Sequence, residues 1–297
     1  MKRLLFIIAV LLAVLLTGLI VGSVLFNRFL NSPVTVPEEG SSFVIAPGSS
    51  FGKISQQLAD EGIIDRPAWF RRYGGWTGEA AAVQAGEYFI EPGSTPVDLL
   101  RQFTAGDVRL YSFTIIEGWN QWELLAALRT SENVNSVLSD DDWSGFLDEL
   151  GSERDHPEGL FLPETYRIPR NTTDKVLLAQ AYKLMQEVLA EEWANRAEGL
   201  PVATPYEALT LASIVEKETA RADERPRIAG DFVRRLQKRM RLQTDPTVIY
   251  GIGQTFNGNL TRKDLTTDTT YNTYTRGGLP PTPIAMPGRA AIHAVLH

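Results

Sequence analysis

Residues Leu4 to Phe26 form 23 consecutive positions without a charged side chain. As a helix rising about 1.5 Å per residue, this run reaches roughly 34 Å, against a bilayer hydrocarbon core of about 30 Å. A cleaved signal peptide is the competing reading, but its apolar core is about 7–15 residues long and closes on a small-x-small site. Here the run passes directly into Val24-Leu25-Phe26-Asn27-Arg28. The sequence therefore predicts an uncleaved, single-pass transmembrane helix. Lys2 and Arg3 precede it and only Arg28 closely follows. The positive-inside bias then places the N-terminus in the cytoplasm and the bulk of the chain on the periplasmic or extracellular face of the cytoplasmic (inner) membrane.

Beyond the span the chain reads as a folded protein. The 297 residues carry 29 basic and 36 acidic side chains, a net charge of −7, so nucleic acid is not an expected partner. No cysteine occurs, which excludes thiol catalysis, disulfides and Cys-bound metals. The three histidines are His156, His293 and His297, and no metal centre is expected from so few. The acidic run Asp140-Asp-Asp-Trp, with Glu149 and Glu153, lacks the ligand order of a calcium loop and reads as solvated surface.

Asn31 to Ser42 is rich in Pro, Ser and Gly and reads as a linker. Further on, Ile45-Ala-Pro-Gly-Ser-Ser recurs 45 residues later as Ile90-Glu-Pro-Gly-Ser-Thr, and Ile54 then matches Leu99. A fainter echo runs from Ile116-Glu-Gly to Leu124. Each copy predicts a short strand, a Pro/Gly turn and an amphipathic helix opened by a capping residue. Arg66-Pro-Ala-Trp-Phe starts a second helix between the copies. This strand–helix–helix–strand pattern resembles a LysM-like module, a type that holds amino-sugar polymers; a packing domain that spaces the rest of the chain from the membrane fits it equally.

The C-terminal half carries the chemistry. His156-Pro-Glu-Gly-Leu-Phe-Leu-Pro-Glu-Thr-Tyr is too rich in Pro and Gly for a helix and reads as an ordered, extended surface. Asn171-Thr-Thr-Asp caps a long helix predicted from Lys175 to Glu198, with Val176, Leu177, Ala181, Leu184 and Val188 as its apolar positions. Thr204 with Glu207 forms a capping box for the next helix, whose apolar arc is Ala208, Leu211, Ala212, Ile214 and Val215. At 100° per residue Glu216 and Glu218 both interrupt that arc. A carboxyl there would lose hydration and hold its proton near neutral pH, as a general acid must. The helix by itself does not choose between the two. Downstream, Gln243, Thr244 and Asp245 cluster at a Pro turn. Tyr271-Asn-Thr-Tyr then precedes the Pro/Gly loop Gly277-Gly-Leu-Pro-Pro-Thr-Pro-Ile-Ala-Met-Pro-Gly, a combination suited to a sugar cleft.

Leu211-Ala-Ser-Ile-Val-Glu-Lys-Glu-Thr, Arg241-Leu-Gln-Thr-Asp-Pro-Thr-Val-Ile-Tyr-Gly, Tyr271-Asn-Thr-Tyr and Gly278-Leu-Pro-Pro-x-Pro-Ile together resemble the YceG-like (MltG-type) endolytic murein transglycosylases. The resemblance covers nearly the whole chain. It implies an α+β architecture: transmembrane tip (1–26), linker (27–42), LysM-like module (43–108) and mixed α+β catalytic domain (109–297). Members of that family continue past the position of His297 with further strands, so the catalytic domain is expected to be C-terminally incomplete here. The resemblance makes the second Glu of the Glu-Lys-Glu run, Glu218, the catalytic acid. It implies cleavage of the MurNAc–GlcNAc β-1,4 bond of nascent peptidoglycan strands without water, leaving 1,6-anhydro-MurNAc ends, with no cofactor and no metal. The family is associated with setting glycan strand length alongside peptidoglycan synthases. By motif match, Gln243, Asp245, Tyr271, Asn272 and Tyr274 are expected to bind substrate, with Asp245 also placed to orient Glu218, and Glu158 and Tyr166 to lie at the cleft rim. Two other readings stay open at this point: a lysozyme-like hydrolase with Asp245 activating water, and a non-catalytic wall-binding scaffold.

Overall fold

A computed structural model describes residues 2–297. The fold is mixed α+β and divides into two compact units, Met1–Leu110 and Tyr111–His297.

In the first unit, α1 (Lys2–Asn31) is one continuous helix. It is the only helix among the described residues long and apolar enough to cross a membrane. Its apolar side chains are exposed all round, Leu4 at 63%, Phe6 at 71% and Leu15 at 61%, and only Leu30 is buried. A core helix of a folded domain would be covered; this one has the length and composition of a membrane-crossing helix. After it come β1 (Ser41–Ile45), α2 (Phe51–Asp60), α3 (Pro67–Thr77), β2 (Gly86–Ile90) and α4 (Pro96–Ala105). β1 and β2 pair antiparallel, from Ser41 opposite Ile90 to Ile45 opposite Gly86.

The sequence repeat is visible in three dimensions. Gly48 and Gly93, at φ +75° and +89°, turn the chain after β1 and β2. Ser50 and Thr95 then cap α2 and α4, Thr95 through a full capping box with Asp98. The matched residues Ile54 and Leu99 are both buried beside Phe43, Tyr88 and Phe103. The third echo follows the same plan: Gly118 turns at φ +79°, Asn120 caps the next helix with Glu123 as its box partner, and Leu124 is buried.

The second unit contains β3 (Leu110–Thr114, which starts on the last residue of the first unit), α5 (Gln121–Thr130), β4 (Val134–Asn135), α6 (Trp143–Glu149), β5 (Thr165–Pro169), β6 (Thr172–Thr173) and α7 (Asp174–Ala194). Then come α8 (Pro205–Glu218), α9 (Arg225–Gln237), α10 (Asp245–Ile252), α11 (Arg262–Thr266) and α12 (Arg289–Leu296). β3 neighbours β5, and β4 pairs parallel with β6.

Several local expectations change. α7 ends at Ala194, and its buried stripe is Leu177, Leu178, Ala181, Met185 and Leu189; Val176 and Leu184 face out. At α8, Thr204 caps through Glu207 N, but the Glu207 carboxylate takes Ala203 N at 2.6 Å, so the expected capping box is only half made. The larger change concerns α8 as a whole. Every residue from Ala208 to Glu216 is buried, with no solvent face, because α7, α9, α10 and α12 all pack on it. A helix covered all round has no apolar arc to interrupt. Depth along its axis decides exposure, and the helix surfaces at its last turn.

Candidate active site

That last turn separates the two carboxylates. Glu216 is 9% exposed and Glu218 is open to solvent. The expectation that both sit in apolar surroundings holds for Glu216 alone. Glu216 is held inside: Oε2 accepts from Gly288 N at 3.0 Å, and Oε1 lies 3.4 Å from Arg225 Nη2. Burial raises its pKa, with the Gly288 N–H and Arg225 opposing. With both oxygens occupied, Glu216 ties α8 to α9 and to the start of α12.

Glu218 has one partner from a distant segment. Thr244 Oγ1 donates to its Oε2 at 2.7 Å. Thr244 is 3% exposed and belongs to a buried hydroxyl cluster. Its N–H donates to Thr273 Oγ1 at 3.1 Å, and the Thr247 and Thr273 hydroxyls are 2.8 Å apart. Thr244 stands at the N-cap of α10, yet it makes no side-chain cap there. Such a cap contributes roughly 1 kcal/mol; the hydroxyl is directed at Glu218 instead. The preceding residue, Gln243, adopts φ +52°, a left-handed conformation unusual for a non-glycine residue, with its N–H on Thr273 O at 3.2 Å. Backbone strain of this kind costs on the order of 1–3 kcal/mol and collects at functional sites. The Gln243 side chain is exposed.

Asp245 is exposed and accepts from Tyr274 Oη at 2.6 Å. Burial, then the Asp245 carboxylate, and to a lesser degree the Glu218 charge push the Tyr274 hydroxyl up to about 12. Tyr274 therefore stays a proton donor, and its shift places it within electrostatic reach of both carboxylates. The structure thus brings Glu218, Thr244, Asp245 and Tyr274 together. The bonded partner of Asp245 is Tyr274 and that of Glu218 is Thr244, so any orienting effect of Asp245 on Glu218 is indirect.

Lys217 and Pro246, the chain neighbours of Glu218 and Asp245, line a cleft of about 550 Å³. Its walls carry Trp122 from α5 and Tyr250 from α10, with ring centroids 5.4 Å apart. Asn120, Gln254, Phe256 and Ile284 are also among its lining residues. Lys217 Nζ donates to Gly118 O at 3.1 Å and fixes that rim. The Pro/Gly loop is only partly a cleft element. Its stretch from Pro283 to Gly288 is buried, with Ile284 N donating to Ser213 Oγ of α8 at 3.0 Å. Gly159 meets this loop so closely that a Cβ would lie 2.5 Å from Pro283, and its φ of +79° independently favours glycine.

Three predicted binding residues prove to be internal. Glu158 is 0% exposed, not at a rim. Its Oε2 accepts from Gln121 N at 3.1 Å and Tyr250 Oη at 2.9 Å, while Oε1 has no partner. Burial dominates and pushes its carboxyl up to about 8, against the pull of those two donors. Tyr166 is 5% exposed and donates to Leu162 O at 2.6 Å, a core tie rather than a rim residue. Asn272 is 0% exposed: Nδ2 donates to the carbonyls of Asp264, Leu265 and Thr267, and Oδ1 accepts from Tyr274 N at 2.8 Å. Its amide is consumed in shaping the loop that presents Tyr274. Tyr271 is half-buried, bonded to Thr282 Oγ1 at 2.8 Å, with its ring edge-on to Tyr250 at 4.9 Å.

Sequence reasoning placed Thr244 in a polar cluster without giving it a role, and did not single out Trp122 or Tyr250 as site residues. Trp122 lies within the capping signal Asn120-x-x-Glu123, so its place in a helix's first turn was readable, but its meeting with Tyr250 was not. The histidines His293 and His297 do gather around a carboxylate, with Glu192 Oε2 at 2.9 and 3.3 Å. The other oxygen of Glu192 is held by Arg289 at 2.8 Å, and the group forms a charged tie between α7 and α12.

The chain is similar in sequence and in fold to known proteins. The sequence model of the YceG-like family matches residues 43–297. A protein of Bacillus subtilis (strain 168) named endolytic murein transglycosylase is 30% identical over 93% of this chain and 81% of its own length. A protein of the same name from Streptococcus pneumoniae serotype 2 (strain D39) is 25% identical over 92% of this chain; the chain spans 55% of that relative. The crystal structure of a yceG-like protein from Listeria monocytogenes superposes with a TM-score of 0.52 at 26% identity, covering 88% of this chain and 90% of that one.

Proposed function

The chain belongs to the YceG-like family, and from that membership we propose that it is an endolytic peptidoglycan lytic transglycosylase with Glu218 as its catalytic acid and base. The observation that carries the assignment of Glu218 is the contrast within one helical turn. Glu216 has both oxygens tied inside the protein, whereas Glu218 is exposed and fixed by a single buried hydroxyl.

In this reading Glu218 gives its proton to the glycosidic oxygen between MurNAc and GlcNAc. The sugar passes through an oxocarbenium-like state. The resulting carboxylate then takes the proton from the C6 hydroxyl of the same MurNAc, whose oxygen closes on the anomeric carbon. Intramolecular attack has a high effective concentration, so no second carboxylate has to hold a water. Thr244 fixes one oxygen of Glu218 and leaves the other for the substrate. Tyr274, Asp245 and exposed Gln243 position the glycan, and the Trp122 ring, packed on buried Tyr250, offers a face for a sugar. Tyr271 supports Tyr250 from behind.

The rest of the chain fits a wall enzyme held at its membrane. α1 is the anchor, with the N-terminus in the cytoplasm; the linker expected over 27–42 is shorter, since 27–31 continue α1 and 41–42 open β1, and it leads to a LysM-like module over 43–108 that contacts or spaces the glycan. Residues 109–297 form the transglycosylase part, and peptidoglycan synthases are its expected partners.

Purified murein tests the reading. The chain should release muropeptides ending in 1,6-anhydro-MurNAc, identified by mass as lacking the water that a hydrolase adds. Glu218→Gln should lower the rate by about 10²–10⁴, the usual contribution of general acid–base catalysis, without a change in thermal unfolding. Anhydro products at the normal rate from the variant would remove Glu218 from the mechanism.

A further inference from the structure

α3 carries features that neither folding nor transglycosylation uses. Trp76 is 80% exposed. At 100° per residue, Trp69, Arg72 and Trp76 fall within an arc of about 60° on α3. That arc meets the end of α1. Phe26 closes the uncharged run of α1, and its ring lies 5.7 Å from Trp69 and 6.5 Å from Trp76. Phe29 lies 5.8 Å from Trp69. Both tryptophans are therefore level with the point at which the apolar run gives way to Asn27 and Arg28.

A cleft of about 380 Å³ opens at the same level. Leu25, Phe29 and Ile64 are among its apolar lining residues, and Arg28, Asp65 and Arg66 are its charged ones. Arg66 stacks over Trp69 at 4.3 Å, and its only carboxylate partner among the described residues is Asp65, which is 75% exposed at 3.4 Å. An exposed pair of that kind contributes little and exchanges readily. Arg28 has no ion-pair partner among the described residues. Two arginines beside an apolar wall, at the depth where a span leaves the hydrocarbon, match a phospholipid: a phosphate for the guanidinium groups and acyl chain for Leu25 and Phe29. Tryptophan is the residue that settles at that depth, with its ring among the headgroups.

We propose that α3 and the root of α1 form a second membrane contact, in which Trp69 and Trp76 seat among the lipid headgroups and Arg28 and Arg66 take the phosphate of an anionic phospholipid. The proposal rests on the reading of α1 as a membrane span. It makes the first unit a body that rests on the bilayer rather than one that swings from a tether.

The chain has no cysteine, so single introduced thiols report without background. The full chain is reconstituted in vesicles of phosphatidylglycerol and phosphatidylcholine, with a fluorophore at one of three sites. Arg72→Cys lies in the proposed contact, and Val14→Cys lies mid-span. Asp107→Cys lies beyond the far end of α4, whose near end at Pro96 borders the cleft. Headgroup nitroxides should quench the label at 72 several-fold more than the label at 107, and mid-chain nitroxides should quench the label at 14. Adding Trp76→Ser with Arg28→Glu and Arg66→Glu should bring position 72 down to the level of 107 while position 14 is unchanged. Equal quenching at 72 and 107, with 14 still in lipid, would overturn the contact and leave the span standing. A label at 14 that no lipid quencher reaches would overturn both. Energy transfer between labels at 72 that rises with protein density, without headgroup quenching, would assign the face to a second copy and overturn the lipid contact.

Discussion

The surface around Glu218 and Asp245 and the interior around Glu158 and Glu216 hold the same functional group under opposite conditions. On the surface each carboxylate has one defined hydroxyl partner, Thr244 or Tyr274, and open solvent otherwise. In the interior burial raises both carboxyls, and the oxygens that accept bonds face backbone N–H groups, Arg225 or Tyr250. Desolvation is a good way to hold a proton, but in a closed interior it also removes the group from any polymer outside. The two requirements fall on different residues here. On the proposal that Glu218 is the acid, its carboxyl loses hydration only when a glycan strand covers it.

The comparison can be broken most directly within α8. If it is right, Glu218→Gln costs the rate and spares the fold, while Glu216→Ala does the reverse. Removing Glu216 leaves Arg225, only 7% exposed, with the Glu117 carboxylate at 3.8 Å as its remaining partner. Breaking a buried pair is expected to cost about 3 kcal/mol, read from denaturant unfolding. Glu216→Gln, which keeps an acceptor for Gly288 N, should recover much of that loss and keep the muropeptide activity. An inactive, fully stable Glu216→Gln protein would exchange the two roles.

A stability effect that depends on pH is expected at Glu158. Its carboxyl moves from an ordinary 4.5 to about 8 in the fold, so between those values the folded state holds a proton that the unfolded state has lost. Stability should therefore fall as pH rises through that window and level off on either side. Glu158→Gln should flatten the dependence, and an unchanged slope in the variant's unfolding midpoints would contradict the burial account. The smallest effect belongs to Thr244→Val, which removes the hydroxyl and keeps the shape. Loss of one hydrogen bond to a charged group should lower kcat/KM about tenfold. A normal rate would mean that Glu218 finds its position without it.

Legibility in the sequence differed between the two units. In the first, the repeat, its Pro/Gly turns and its capping residues are local signals, and the elements followed them. In the second, the helices were readable but their surroundings were not. By angle alone α8 has a wet face, whereas four partner helices cover it and axial depth sorts Glu216 from Glu218. Asn272, Glu158 and Tyr166 sit in motifs suggestive of a cleft, yet each is engaged by groups remote in the chain or by backbone. A polar side chain in a Pro/Gly-rich segment reads the same whether it meets a ligand or braces a loop.

Thr244 carries a consequence for anyone seeking a hardier form of this protein. Its position opens α10, where an asparagine, neutral beside Glu218, would cap the helix better than a hydroxyl aimed elsewhere. A screen scored on heat resistance alone would therefore favour that change and select against the contact that steadies Glu218. If Glu218 has the proposed role, robustness and turnover are opposed at this one position.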